Sequence, residues 1–406
     1  MKPILSSTLL VIFLLAACAP AAAPQPSVAT PSAVPAPLSV EECLITPHVY
    51  SRQGLPIPVA VAANFPGAEG LSVFWKDGSA LGAWPTGQPL VSMKIHVAGV
   101  ISEGIDLTPL VFLGSNEDGT TSLKASLGGQ VSTLMIFPPR VLVTDLTGVP
   151  GRTWIAYSTL EPAADGSSLR STITLGEYST IASAAPAIIV DSAESRYIQP
   201  VAIHRNVNDV PDGIWYTYNL WGIGGDSLTD PRAGLYYLDL STGESLEFLG
   251  MGCQFSALST GQNLAVWISP GQVHITDLHS GATTTHPLLA GNDRVAHATF
   301  SPSEGYVSWL EGQGWEYDGT LETTLRVTTP DGVYAAEYSL PAFAGPSGLG
   351  GEIAIVPLGW LAPDNENILV AVYSAATEQS ALVYVDVNAE KITPFVNGIF
   401  AGFAYP

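Results

Sequence analysis

The chain has 406 residues, 36 of them acidic and only 14 basic, for a formal net charge of −22, with seven histidines and three cysteines. That balance repels nucleic acid and anionic lipid headgroups, so no nucleic-acid partner is expected, and the length is too great for a small disulfide scaffold. Charged residues make up 12% of the chain against about 25% in a typical soluble protein, while 40 glycines and 32 prolines punctuate it; many short strands with tight turns fit this better than helices.

Lys2 precedes a mostly apolar stretch, Ile4 to Leu15, broken only by Ser6, Ser7 and Thr8, after which small residues lead to Cys18. A membrane-crossing helix needs about 20 consecutive apolar residues. This run is shorter and reads as a targeting segment over residues 1–17. Leu15-Ala16-Ala17-Cys18 resembles the lipobox of bacterial lipoproteins, whose cysteine is acylated and becomes the mature N-terminus. The resemblance implies an extracytoplasmic protein, lipid-anchored through Cys18 to a bacterial membrane at the cell surface or periplasmic face. Ala19 leaves the choice of membrane open.

Residues 18–41 are then the lipidated Cys18 and a stalk, whose some twenty residues from Ala19 to about Leu38 are almost wholly Ala, Pro, Ser, Val and Gln, a composition that cannot bury enough apolar surface to fold. At roughly 3.1 Å per residue in polyproline geometry it could hold the next domain up to about 60 Å from the lipid. With Cys18 lipidated, Cys43 and Cys253 are the one remaining pair in a compartment that permits oxidation. A bridge would close a very long loop, worth about 4–5 kcal/mol in the chain-entropy model; two separate buried thiols are the alternative.

From residue 42 to 406 the pattern is all-β. Leu71–Trp75, Leu110–Leu113, Thr153–Tyr157 and Ser171–Leu175 are acceptable strands. The C-terminal half repeats two modules. Phe255-Ser256-Ala257 leads to Leu264–Trp267, Phe300-Ser301-Pro302-Ser303-Glu304-Gly305 to Tyr306–Trp309, and Trp360-Leu361-Ala362-Pro363-Asp364 to Ile368–Ala371. The second module sets an Asp and a Gly about a hairpin turn, in Leu235–Gly243 and Val273–Gly281, with a relative in Leu382–Asn388. Asp239 and Asp277 lie 38 residues apart, Phe255 and Phe300 45, a spacing that leaves room for four strands per repeat.

Over roughly Gln199 to Pro406 these residues resemble the repeats of TolB-like and WD40-like β-propellers, with phenylalanine-serine-proline-aspartate-glycine and tyrosine-x-x-aspartate-x-x-threonine-glycine turns. Ser303 and Ala257 depart from that pattern, and around Arg326 to Tyr338 only Pro330-Asp331-Gly332 remains. The resemblance implies an all-β propeller; at about 50 residues per blade the count is seven four-stranded blades, with six and eight as neighbouring counts. Gly402–Pro406 lines up with the start of a first module, as if the C-terminus completed the N-terminal blade. An N-terminal β-sandwich followed by a smaller β domain is the rival architecture.

Chemistry is sparse. No H-E-x-x-H, C-x-x-C, Walker loop, G-x-G-x-x-G or G-x-S-x-G is present, and His48, His96, His204, His274, His279, His286 and His297 are dispersed. Asn116–Gly119 and Asn208–Gly213 lack the spaced acids of a calcium loop. No catalytic residue, metal or cofactor is therefore expected. Turns joining first to second and third to fourth strands are short, whereas Leu220–Ala233, Gly312–Glu322 and Ala342–Ile353 are insertions on the opposite face, where long loops commonly act. Two hold aromatic rings beside charges: Trp221 with Asp226, Asp230 and Arg232, and Trp315-Glu316-Tyr317-Asp318. Such sets suit protein, peptide or carbohydrate ligands, or plug loops onto the core. The expected function is a membrane-anchored, monomeric binding protein; the alternative is a hydrolase or lyase acting on sugars or peptides with acids from the same face.

Overall fold

The computed structural model describes residues 43–404 apart from 52–57, 66, 67, 69, 86–94, 98–109, 117, 128, 149–152, 165, 167, 193–195, 221–227, 315–320, 362–365 and 375. The leader, Cys18 and the stalk lie outside the described residues. Contacts divide the chain into Met1–Ala36 and a unit from Pro37 to Pro406, to which every described residue belongs. No helix among the described residues is long and apolar enough to cross a membrane.

All sheet pairings are antiparallel. The first sheet contains β1 (Ala60–Asn64), β2 (Gly70–Trp75) and β3 (Ala80–Pro85). The second holds β4 (Ile95–Val97), β5 (Leu110–Ser115), β6 (Thr121–Leu127) and β7 (Gln130–Ile136), and the third β8 (Leu142–Gly148), β9 (Trp154–Pro162), β10 (Leu169–Glu177) and β11 (Pro186–Ser192). A seven-stranded sheet follows, from β12 (Arg196–Arg205), β13 (Pro211–Leu220) and β14 (Arg232–Asp239) through β15 (Ser245–Leu258) to β16 (Leu264–Ser269), β17 (Gln272–Asp277) and β18 (Thr283–Pro287). Then come β19 (Arg294–Phe300), β20 (Val307–Gln313), β21 (Glu322–Thr328) and β22 (Ala335–Ser339), and β23 (Ile353–Leu361), β24 (Asn367–Ser374), β25 (Gln379–Asp386) and β26 (Lys391–Asn397). Finally β27 (Ile399–Ala404) returns to pair with β1, Ala60 opposite Ala404, so the chain's two ends close one sheet.

The fold is an all-β propeller. First strands of successive sheets lie against one another around an axis: β27 on β4, β4 on β8, β8 on β12, β15 on β19 and β19 on β23. The register slips within each inner strand whose pairing spans a full sheet, at Thr144, Val201, Ser256, His297-Ala298, Leu358 and Ala401, and such bulges bend each strand as it lines the axis. Sheets packed on both faces bury their middle strands on both sides. Hence β16, β24 and β25 read as continuous apolar runs, while outer strands such as β22 alternate.

The expectation of seven separate four-stranded blades is corrected: the described strands form five four-stranded sheets and one of seven. The reason lies in β15, whose 14 residues pair with β14 from Ser245 to Leu249 and again at Gln254, and with β16 from Gln254 onward, so no break separates the two halves. The first-module alignment also shifts. The turn equivalent to Ser301–Tyr306 is Ser259–Leu264, three residues beyond the sequence match at Ser256, since in each the serine N–H bonds the carbonyl five residues on and its Oγ accepts the returning N–H.

Turn chemistry explains the repeats. Asp239 Oδ1 accepts the Ser241 N–H at 2.7 Å and the Ser241 hydroxyl at 2.6 Å, and Asp277 holds the His279 and Ser280 amides in the same way. Four residues after each aspartate the chain needs positive φ, supplied by Gly243 (+73°) and Gly281 (+74°). After Asp386 the corresponding position is Glu390, at +50°.

A strap from Cys43 to Ser51 enters the wedge between the two halves of the seven-stranded sheet. Cys43 is bonded to Cys253 with 5.5 Å between Cα atoms, the Thr46 N–H donates to the Phe248 carbonyl, and His48 Nε2 donates to the Glu247 carbonyl. Tyr50 stacks on His279 at 4.2 Å and meets Trp215 and Phe248 edge-on. Cys43 and Ile45 thereby join a core with Trp215, Leu235, Tyr237, Phe248 and Trp267.

Candidate functional site

Inner strands run from one face, here the loop face, to the other, the turn face. The connections β13–β14, β20–β21 and β22–β23 therefore all emerge on the loop face. Trp221, Asp226, Trp315, Glu316, Tyr317 and Asp318 lie outside the described residues; the bases of their insertions do not. Leu228, at the base of the first, packs into the core of the β19–β22 sheet with Leu310 and Leu325. Leu321, at the base of the second, and Phe343, from the third, join the same cluster.

The third insertion forms a 3-10 turn at Leu340–Phe343 and one helical turn at Ala344–Ser347. The β16–β17 turn lies between the first two insertions in chain order and is short, with only Pro270 and Gly271 between its strands. A side chain at Gly312 would put Cβ 1.9 Å from the Glu322 carbonyl and 3.1 Å from Leu228, so close strand approach requires glycine there. Arg294 joins two insertion bases, donating from Nη1 to the Gly314 carbonyl at 2.6 Å and from Nη2 to Thr229 Oγ1 at 3.3 Å.

Asp230 and Arg232, expected as ligand contacts, hold each other: Arg232 Nε donates to Asp230 Oδ1 at 2.8 Å and Nη2 to Oδ2 at 2.6 Å. Nη2 also donates to the Ser256 carbonyl, Ser256 Oγ donates to Asp230 Oδ2 at 3.2 Å, and the guanidinium lies 5.4 Å over the Phe255 ring. The aspartate side chain is 3% exposed, the arginine 29%. Burial pulls the Arg232 pKa down, and the charge and hydrogen bonds of Asp230, joined by the charge of Asp145 on β8, more than reverse it. Burial pushes the Tyr197 phenol up, with Asp145 adding in the same direction. The sequence marked the pair by residue type; its internal partner Ser256, on another strand, left no local signal.

On the turn face Ser51 Oγ lies 3.4 Å from His204 Nε2, and His204 Nδ1 lies 2.5 Å from Asp212 Oδ1, the order of a nucleophile, base and acid. The same Nε2 is 2.7 Å from the Ser51 carbonyl oxygen. A carbonyl only accepts, so Nε2 donates to it and offers no lone pair to the Ser51 hydroxyl. The trio is a clasp on the end of the strap, not a relay. His274 and His279 are not brought together as ligands: His274 stacks on Trp267 at 3.9 Å between Ser269 and Thr285, and His279 lies under Tyr50. Among the described residues no group of three His, Cys, Asp or Glu side chains could hold a metal ion. Glu311, fully buried, accepts from the Leu289 amide, Asn292 and Trp309.

No protein-family model matches the sequence, and no curated protein matches it. Solved structures do. The chain is similar to one from an analysis of two prolyl endopeptidases, at 12% identity and a TM-score of 0.52, covering 88% of this chain and 50% of that one. It thus spans half the length of that protein. It is also similar to the GH74 enzyme of Niastella koreensis (10% identity, TM-score 0.46, 85% of this chain and 55% of that one) and to TolB from Acinetobacter baumannii (12%, 0.40, 82% and 78%). The likeness is one of fold, and places this chain among the β-propellers, with TolB one of the structures it is similar to.

Proposed function

We propose that the chain is a lipid-anchored, extracytoplasmic propeller that works as a monomer and binds a ligand or protein partner through its loop face. The observation that carries this reading is the convergence of three insertions on one cluster, Leu228, Leu321 and Phe343, while the opposite face keeps tight, self-capped turns. Loops with roots packed and cross-tied by Arg294 form a supported platform, and a supported platform is what a binding surface needs. The anchor reading rests on Leu15 to Cys18 and the stalk behind it.

Metabolic labelling with a fatty acid tests the anchor: Cys18→Ala abolishes the label, and equal label in both proteins refutes it. For the face, the full chain in detergent is screened against peptide and glycan arrays with Trp221→Ala and Trp315→Ala alongside. Loss of binding at an unchanged melting temperature supports the reading. A large fall in melting temperature in both variants, with no ligand for the parent, makes the rings plugs and the face a scaffold.

A further inference from the structure

The strap fixes the face at which the chain enters the propeller. Cys43 is bonded to Cys253, next to Gln254, which pairs with Ile268 near the loop-face end of β16. At its other end Tyr50 donates to the Gln262 carbonyl and the Ser51 carbonyl accepts from His204, both on the turn face, and β1 then starts from the turn face beside β27. The strap thus runs from loop face to turn face, and the chain coming from Cys18, 25 positions before Cys43, joins it at the loop face. A stalk that reaches up to about 60 Å lets either face meet the lipid, so charge and apolar surface decide between them.

Charge separates the two faces. The turns after β2, β14, β17, β21 and β25 each hold an aspartate on the turn face, Asp77, Asp239, Asp277, Asp331 and Asp386, whose Oδ1 takes an amide of its own turn. The loop face carries arginines instead: Arg140 between β7 and β8, and Arg170, Arg196, Arg232 and Arg294 at the first or second positions of β10, β12, β14 and β19, two of them paired with Asp191 and Asp230. Salt screens charges beyond about 8 Å, so a surface close by meets the charge of the nearer face and not the net −22 of the chain.

Between β7 and β8 the loop face also exposes apolar side chains. Ile136 is 61% and Leu142 49% exposed, and Pro138, Pro139 and Arg140 between them are exposed as well. The Val141 N–H closes a turn on the Pro138 carbonyl at 3.1 Å, with proline second and Arg140 third at φ +84°, a position where such a turn takes glycine. The other six arginines among the described residues each donate to a partner, and Arg140 meets none there.

We propose that the loop face rests on the membrane that holds Cys18, with Ile136, Leu142 and the two prolines seated in the headgroup layer and Arg140 donating to a lipid phosphate. This rests on the anchor and loop-face readings and names the lipid surface as the partner of that face. Apolar side chains beside a cation suit an interface, and a guanidinium matches a phosphate with two parallel bonds. The tether holds the propeller at the surface, so a contact too weak to retain a free protein suffices. The turn face, with its five carboxylates, points away.

The test couples residues 18–406, which contain the whole folded unit, to phosphatidylcholine vesicles through a maleimide headgroup and the Cys18 thiol, Cys43 and Cys253 being bonded to each other. Arg140 is footprinted with phenylglyoxal, and the exposed Lys391 at the turn-face start of β26 with an acetylating ester, before and after coupling. Coupling slows the Arg140 reaction about tenfold or more, the occupancy expected of a hydrogen bond between charged groups, and leaves Lys391 unchanged. Arg140 still open, or Lys391 shielded, overturns the docking. Ile136→Asp with Leu142→Asp, at exposed positions, returns Arg140 to its uncoupled reactivity at an unchanged melting temperature, and protection that persists in this variant overturns the apolar contact. Should the variant melt early, the wild-type footprints decide alone. Coupling needs no acylation, so the readings fail separately: a fatty-acid label with Arg140 open keeps the anchor and removes the docking, whereas Arg140 shielded without a label supports the docking and removes the anchor. A glycan or peptide bound through Trp221 and Trp315 with Arg140 open keeps the binding face and removes the lipid.

Discussion

His274 gives the fold a pH dependence that can be isolated. Its ring is 1% exposed, stacked on Trp267 and set between the Ser269 and Thr285 hydroxyls, and burial pulls its pKa from 6.5 down to about 4, with the charge of His286 adding to the effect. Above pH 6.5 the ring is neutral in both folded and unfolded chains and contributes no pH dependence. Between about 6.5 and 4 the unfolded chain takes up a proton that the folded one refuses, so stability falls as pH falls. At 1.36 kcal/mol per unit over that window the loss is about 3 kcal/mol. For a domain of this size that lowers the melting temperature by about 4 °C. His286, also lowered by burial, acts in the same direction. Asp77, Asp118, Asp239 and Asp331, held below the usual carboxylate range mainly by hydroxyl hydrogen bonds, respond only below about pH 3.8 and stay out of the window. Thermal melts at pH 7.5, 6.5, 5.5 and 4.5 on wild type and His274→Gln test this. The variant is flatter by about 4 °C over the range; equal slopes, or a wild type with no slope, refute the argument.

Other outcomes follow from the same geometry. Glu390→Gly, which relieves a left-handed backbone at the turn after Asp386, stabilises by about 0.5–1 kcal/mol in urea melts. Asp230→Ala strips the Arg232 guanidinium of its buried partner and costs about 3–5 kcal/mol, whereas Asp191→Ala, which breaks the exposed Arg170 pair, costs under about 1 kcal/mol. Replacing Cys43 and Cys253 together by Ala reopens a loop spanning 210 residues and lowers stability by about 5 kcal/mol in the chain-entropy model; a melt unchanged by reductant contradicts it. Tyr50→Ala, which empties the ring cluster between Trp215, Phe248 and His279, costs about 3–5 kcal/mol and leaves residues 43–51 open to limited proteolysis.

What could be read in the sequence is what is decided locally. The Asp239 and Asp277 turns are made by one aspartate, the two or three residues after it and a glycine at positive φ, all within five positions, so the repeat shows in the primary structure. The apolar runs of β16 and β24 show for a related reason, since sheets buried on both faces leave no polar alternation. The misread register at Phe255 has the opposite cause. There the strand runs on for three more residues before turning, and its bulge at Ser256 imitates a turn serine. Likewise nothing local says that β15 pairs with β14 along one end and β16 along the other, joining seven strands in one sheet.

The strap and the clasp of Asp230 and Arg232 were hidden because their partners are distant in the chain. His48 meets the Glu247 carbonyl 199 residues away and Ser51 meets His204 153 away; of the strap, only its cysteine gave a sign. Asp230 and Arg232 were visible as residue types but not as a pair. Two positions apart across the start of β14, they form a bidentate clasp whose remaining bonds go to Ser256, 26 residues from Asp230. The same pairing that makes Asp230 structural matches the charge of the Arg232 guanidinium inside the fold, so removing either partner leaves the other uncompensated.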